Sequence, residues 1–143
     1  MSIEIINNLH IENTPNNKNE YGKKICPITM QTLSSNNCIK IDGILYSMNG
    51  MKMWFKTQVK KQLSEIQCKC CKNYITYING NYKKYNVESF SIQDFVTVFE
   101  IKSPYTNLPY SNEIKIKLFE IYIENYRQLN HYKRGDLLYF INN

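Results

Sequence analysis

The chain has 143 residues, 43% of them hydrophobic, which is enough for one domain with a real core and needs no staples. Its formal net charge is +6 and its isoelectric point about 9.0, so an anionic partner is permitted. The basic residues are scattered as small pairs (Lys23/Lys24, Lys60/Lys61, Lys83/Lys84 and Lys133/Arg134), which reads as a solvated surface and argues against a nucleic-acid binder. No secretory signal is visible in residues 1–8, and no apolar stretch is long enough to span a bilayer. The expectation is an intracellular chain, cytoplasmic or nuclear, whose five cysteines are reduced and form no disulfide framework.

In chain order, Ile3, Ile5, Leu9 and Ile11 suggest a short strand within residues 2–11. Residues 13–24 are polar and Asn-rich and contain Pro15; they read as a flexible connector. Ile39 to Tyr46 reads as a hairpin turning at Asp42-Gly43. A helix is predicted next, because Met51, Trp54, Phe55, Val59, Leu63 and Ile66 recur at three- and four-residue steps.

After the cluster Cys68, Cys70 and Cys71, a second hairpin is predicted over Tyr74 to Tyr85 around Asn79-Gly80. Ser91 and Asp94 fit a capping box for a short helix, with a strand through Phe95 to Ile101 as the competing reading. Pro104 and Pro109 force a loop. Ser111 or Asn112 then caps a long last helix buried through Ile114, Leu118, Ile121 and Tyr122, and Leu137 to Ile141 reads as a closing strand. No internal sequence repeat is evident.

Three segments, in order, resemble the U-box, the zinc-free relative of the RING finger. Cys26-Pro27-Ile28-Thr29-Met30 looks like the family's opening loop. Asp42-Gly43-Ile44-Leu45-Tyr46, followed by Met51, Trp54 and Phe55, resembles its hairpin and central helix. Ser103-Pro104-Tyr105-Thr106-Asn107-Leu108-Pro109-Tyr110 is similar to its second loop, with aromatics where Leu is usual.

The resemblance implies an α+β fold with a RING-like core (small β-hairpin, central helix, C-terminal helix) into which a hairpin-helix unit is inserted. The chain then divides into residues 1–24, a strand and connector; 25–67, the first part of the U-box-like domain; 68–102, the insertion with its Cys cluster; and 103–143, the second loop and last helix. An insertion in a loop is tolerable, since closure entropy grows only logarithmically with length.

The resemblance also implies a function. U-box ligases recruit a ubiquitin-charged E2 enzyme and position its thioester for attack by a substrate lysine, without a nucleophile of their own. Ile28, Met30, Trp54 and Pro104 would then contact the E2. Asn107 stands where such ligases commonly place an Arg that bonds both E2 and ubiquitin; as a shorter, uncharged residue it would bond more weakly, and it reads equally as a turn residue.

The implied partners are an E2, ubiquitin, a substrate protein of unknown identity and, as in many U-box ligases, a second copy of the chain; nucleic acid and membrane are not expected. No cofactor is required. The Cys68-x-x-Cys71 spacing leaves a single zinc as an alternative, completed by Cys26 and Cys38, while Thr29 takes the place of a second RING cysteine. A catalytically inactive interaction or structural module is the alternative function. Large DNA viruses carry U-box-like chains of similar composition, so a viral source is compatible with this reading. A small basic nucleic-acid-binding protein is the remaining alternative.

Overall fold

A computed structural model of the chain describes residues 3–6, 14–33, 37–66, 73–78, 81–86, 91–124, 137, 140 and 141; of 64–66, 73–78 and 81–86 it describes the secondary structure. The fold is mixed α+β, and the residues fall into two compact units: 1–55 with 102–114, and 56–101 with 115–143. The division runs within two helices.

The first unit is built on a three-stranded antiparallel sheet in the order β1-β2-β3, formed by β1 (Ile3–Ile6), β2 (Cys38–Ile41) and β3 (Ile44–Ser47). Asp42 and Gly43 connect β2 to β3 with φ of 49° and 86°. Two successive positive φ values give the primed turn whose twist matches that of paired strands, and Asp and Gly tolerate it. Ile39, Ile41, Leu45 and Tyr46 are buried. Glu4 and Lys40 oppose each other across β1 and β2 and form a 2.8 Å ion pair, worth at most about 1 kcal/mol at a half-exposed site.

Helix α1 (Met48–Ile66) follows without a loop. Ser47 Oγ accepts the Gly50 N–H at 2.8 Å and so caps its first turn. Met51, Phe55, Val59 and Leu63 are fully buried or nearly so, the apolar face that their spacing predicts.

The second unit contains the antiparallel pair β4 (Asn73–Ile78) and β5 (Asn81–Asn86), in a register that sets Ile78 opposite Asn81; the expected turn at Asn79-Gly80 lies outside the described residues. Its helix α2 (Ile92–Val98) starts from the predicted capping box: Ser91 and Asp94 each accept the other's backbone N–H at 3.1 Å. The reciprocal cap and the burial of both Phe95 and Phe99 on one helical side decide against a strand here. Phe95 packs on Phe99 and on Phe119 at ring-centroid distances of 5.1 Å, tilted as aromatic pairs prefer.

Helix α3 (Asn112–Phe119) runs on into a π-helical turn over Glu120–Glu124. Lys115, on α3, is buried, and its ammonium donates to the Val96 and Phe99 carbonyls at 2.8 and 3.0 Å. Those carbonyls belong to the last turn of α2, where a cation is favourably placed. Burial pushes the Lys115 pKa down, while the Glu100 charge works against that shift. Gln62 of α1 meets the Glu100 backbone twice, donating to its carbonyl at 2.6 Å and accepting from its N–H at 2.9 Å.

Two expectations are overturned. Leu137, Phe140 and Ile141, the described residues of the expected closing strand, are helical and buried instead; burial at i, i+3 and i+4 is the helical period. Nor are residues 14–24 a flexible connector. Asn17, Lys18 and Asn19 pair back on Lys23, Lys24 and Ile25 through a turn at Gly22, whose φ is +77°. Asn16 is 5% exposed, and its amide donates to the Leu45 carbonyl at 2.8 Å and accepts the Leu45 N–H at 2.8 Å. One side chain thus satisfies the outer edge of β3, as a paired strand would. Polar composition suggested disorder because the stabilising contacts here are hydrogen bonds rather than apolar burial.

Tyr46, Tyr110 and Tyr122 are buried, and burial raises each phenol above the ordinary 10.0; for Tyr46 and Tyr110 their mutual proximity adds to the effect on Tyr46. The folded chain therefore keeps protons that an unfolded chain gives up above pH 10. Stability from these groups is complete below that pH and falls above it, by about 1.4 kcal/mol per pH unit for each phenol. An alkaline titration followed by near-ultraviolet absorbance should show part of the phenolate signal appearing only with unfolding. A smooth titration of all twelve tyrosines in the folded state would contradict the burial of these three.

Candidate functional site

The two proline-containing loops of the first unit are built alike. In the first, the Met30 N–H donates to the Cys26 carbonyl at 2.8 Å and the Cys26 N–H to the Gln31 carbonyl at 2.9 Å. In the second, the Asn107 N–H donates to the Ser103 carbonyl at 2.8 Å and the Ser103 N–H to the Leu108 carbonyl at 2.9 Å. The Thr29 hydroxyl accepts the Gln31 N–H at 3.3 Å, and the Thr106 hydroxyl accepts the Leu108 N–H at 3.2 Å. Met30 and Asn107 hold the same left-handed conformation, φ 58° and 61°. The flanking bridges, Ile25 to Thr32 and Lys102 to Pro109, also correspond.

At the root of each loop sits a buried acceptor. Ser103 Oγ accepts the Tyr105 and Thr106 N–H groups at 3.1 and 3.2 Å. Cys26 Sγ takes the same two positions, Ile28 and Thr29, and also the Ser47 N–H at 3.4 Å. Burial raises the Cys26 thiol pKa, but the hydrogen bonds from Thr29, Ser47 and Ile28 outweigh it, and the net shift is downward. Cys38 is pushed up by burial and by the neighbouring Cys26. The structure therefore contains an internal repeat that the sequence does not display, since the loops share only the Pro and Thr of an x-Pro-x-Thr string.

Each loop is fixed to the body of its unit. Ser47 both caps α1 and donates to Cys26, which brings the first loop against the start of the helix. A Cβ on Gly50 would stand 2.7 Å from Ser47 Oγ and 3.0 Å from the Thr29 methyl, so this approach requires glycine. The second loop is held by Trp54, whose indole N–H donates to the Lys102 carbonyl at 2.8 Å. Beneath it, the Tyr110 hydroxyl is buried beside those of Tyr46 and Ser103 without a hydrogen bond of good geometry.

Asn17, Ile25, Pro27, Met30, Pro104 and Tyr105 line a groove of about 190 Å³. Its two prolines occupy the same position in their respective loops. Met30 is 70% exposed and Tyr105 51%, so large apolar side chains stand in water at its rim. Of the expected contact residues the groove brings together Met30 and Pro104. Ile28 is half-buried beside the groove's lining and not part of it, and the half-buried Trp54 serves the loop behind. Asn107 is exposed on the second loop, outside the lining. Sequence reading missed Asn17 because its segment looked unstructured. It missed Pro27, Ile25 and Tyr105 because their place follows from how the loops are rooted.

Among the described residues no group of three or more His, Cys, Asp or Glu side chains is placed to hold a metal ion. Cys26 and Cys38 are buried free thiols, and Cys68 and Cys71 lie outside the described residues. Among those same residues no helix is long and apolar enough to cross a membrane. Compared with known proteins, the chain matches no family model, no curated protein and no solved structure.

Two substitutions test this construction by thermal unfolding. Ser103→Ala leaves the Tyr105 and Thr106 N–H groups without their acceptor and should cost about 1–3 kcal/mol, whereas Ser103→Cys, copying the first loop, should cost less. Gly50→Ala should destabilise by about 1–2 kcal/mol even though Ala is the better helix former, because overpacking outweighs propensity. A stabilised Gly50→Ala protein would show that the loop does not need this close approach.

Proposed function

We propose that the chain is a U-box-like module that recruits an E2 enzyme charged with ubiquitin and positions its thioester for attack by a substrate lysine. The observation that carries this reading is the groove between two equivalent loops, one contributing Met30 and the other Pro104. An exposed apolar groove on rigid walls is what docking of a partner side chain requires. Loops rooted on side-chain acceptors, Cys26 and Ser103, suit a zinc-free relative of the RING finger. Catalysis would come from holding the reacting groups in register, so the reading needs no nucleophile in the groove.

An inactive interaction module is the second reading, and one observation favours it. Asn107 takes a left-handed backbone, φ 61°, at which Asn is among the best-tolerated residues, so its presence has a structural reason without any contact to ubiquitin.

Ubiquitin-chain formation with E1 and a panel of E2 enzymes separates these readings. At least one E2 should yield chains, and Met30→Asp should reduce the yield about tenfold or more, the effect of placing a carboxylate at an apolar anchor. Asp tolerates the left-handed backbone, so the variant tests docking rather than folding. If no E2 yields chains and Met30→Asp changes no E2 binding, the ligase reading is abandoned. Asn107→Arg should raise chain formation several-fold where wild type is active, since a charge-assisted bond is roughly twice as strong as a neutral one. An unchanged rate in that variant would remove position 107 from ubiquitin positioning.

A further inference from the structure

Resting on the reading of the groove as an E2-docking site, we propose that the Asn17 carboxamide donates a hydrogen bond to a main-chain carbonyl of the docked partner. The groove then takes its apolar side chain from a loop, whose peptide carbonyls are free, and reads that loop by its backbone as well as by its anchor.

The case starts from a shortage of donors. Of the six lining residues, Pro27 and Pro104 have no N–H. The Ile25 N–H is spent on the Asn17 carbonyl at 2.9 Å, that of Met30 on the Cys26 carbonyl at 2.8 Å and that of Tyr105 on Ser103 Oγ at 3.1 Å. Five of the six thus have no main-chain donor to give, and the bonds that hold the walls are the ones that consume them. The donors left in the lining are on Asn17 and on the Tyr105 phenol.

A partner that buries a side chain here also takes peptide carbonyls out of water. A carbonyl desolvated without a donor weakens binding. Carbonyls in the middle of a helix are already bonded within it, so a helix would have no use for Asn17, whereas a loop would.

Asn17 is placed to serve such a loop. Asn16 turns inward and bonds Leu45 through both amide atoms, so in the ribbon of residues 14–24 the next side chain faces the other way. Asn17 is exposed, and its carboxamide has no hydrogen-bond partner among the described residues. Its backbone, by contrast, is held by the bond from Ile25, its neighbour in the lining. A fixed backbone with an unspent amide beside an apolar groove is a donor waiting for an acceptor. Because the acceptor is main chain, the bond does not depend on the partner's sequence.

The test measures binding of the full chain to a panel of purified E2 enzymes by calorimetry. Asn17→Leu and Asn17→Asp both keep the shape of the side chain and remove the donor. Each should weaken every E2 that binds by about tenfold, to a similar extent across the panel. Both should leave thermal unfolding unchanged, since the Ile25 N–H bonds a backbone carbonyl that any residue supplies. In wild type the Asn17 side-chain amide protons should shift in the NMR spectrum and exchange more slowly with water when E2 is added. If Asn17→Leu binds as tightly as wild type or tighter while Met30→Asp abolishes binding, the groove needs no donor; the proposal fails and the docking function stands. A loss that differs widely from one E2 to another would mean that Asn17 reads a side chain, which overturns the main-chain bond. Should wild type bind no E2 at all, both readings fall.

Discussion

The first unit depends on two buried acceptor atoms, Cys26 Sγ and Ser103 Oγ, each gathering the backbone N–H groups two and three residues ahead. Short loops carry more donors than their own carbonyls can satisfy, and a buried unpaired N–H costs about 1–3 kcal/mol. An acceptor at the root converts that cost into a fixed shape. Proline presets its own φ, and Thr folds its hydroxyl back onto the loop, so a small side-chain acceptor followed by Pro and Thr at the same spacing yields one conformation twice. Sulfur is the weaker acceptor, and Cys26 receives a third backbone donor, Ser47, where Ser103 receives none from a strand.

This arrangement links the elements in a particular order. Ser47 ends β3, caps α1 and donates to the first loop, so strand, helix and loop share one residue. Gly50 lets the loop come close, and Trp54, one turn further along α1, fixes the start of the second loop. The groove is consequently set by the first two turns of a single helix. Its walls are held by hydrogen bonds between parts of the chain far apart in sequence, Asn16 to Leu45, Cys26 to Ser47 and Trp54 to Lys102, which fix the shape that binding without an ordering penalty requires.

Elements governed by periodicity or by a two-residue turn were legible in the sequence. The Asp42-Gly43 hairpin, the apolar face of α1, the capping box of α2 and the pairing of β4 with β5 all follow from local rules. Features governed by side-chain hydrogen bonds over long separations were not. Nothing near Asn16 announces that its amide will complete the edge of β3 at Leu45, and nothing in Cys26 and Ser103 as letters marks them as equivalent. The same limit applies to the groove: Met30 and Pro104 could be named from the resemblance, but Asn17 enters the lining only through the ribbon that Asn16 anchors. Lys115 was likewise invisible, because a buried lysine is explained only by the two carbonyls at the end of α2 that it satisfies.

The equivalence of the loops also bears on what position 107 can do. Its counterpart, Met30, has the same left-handed backbone and projects its side chain into water at the groove's rim. Asn107 is exposed as well, although it lies outside the groove's lining. Met at one and Asn at the other give one apolar anchor and one short polar group. On the proposed function the apolar anchor would come from the first loop, with the second loop contributing Pro104 and Tyr105 as a wall. A module built this way would hold an E2 more firmly than it holds ubiquitin. That ordering of strengths is what recruitment demands first, and efficient transfer only second.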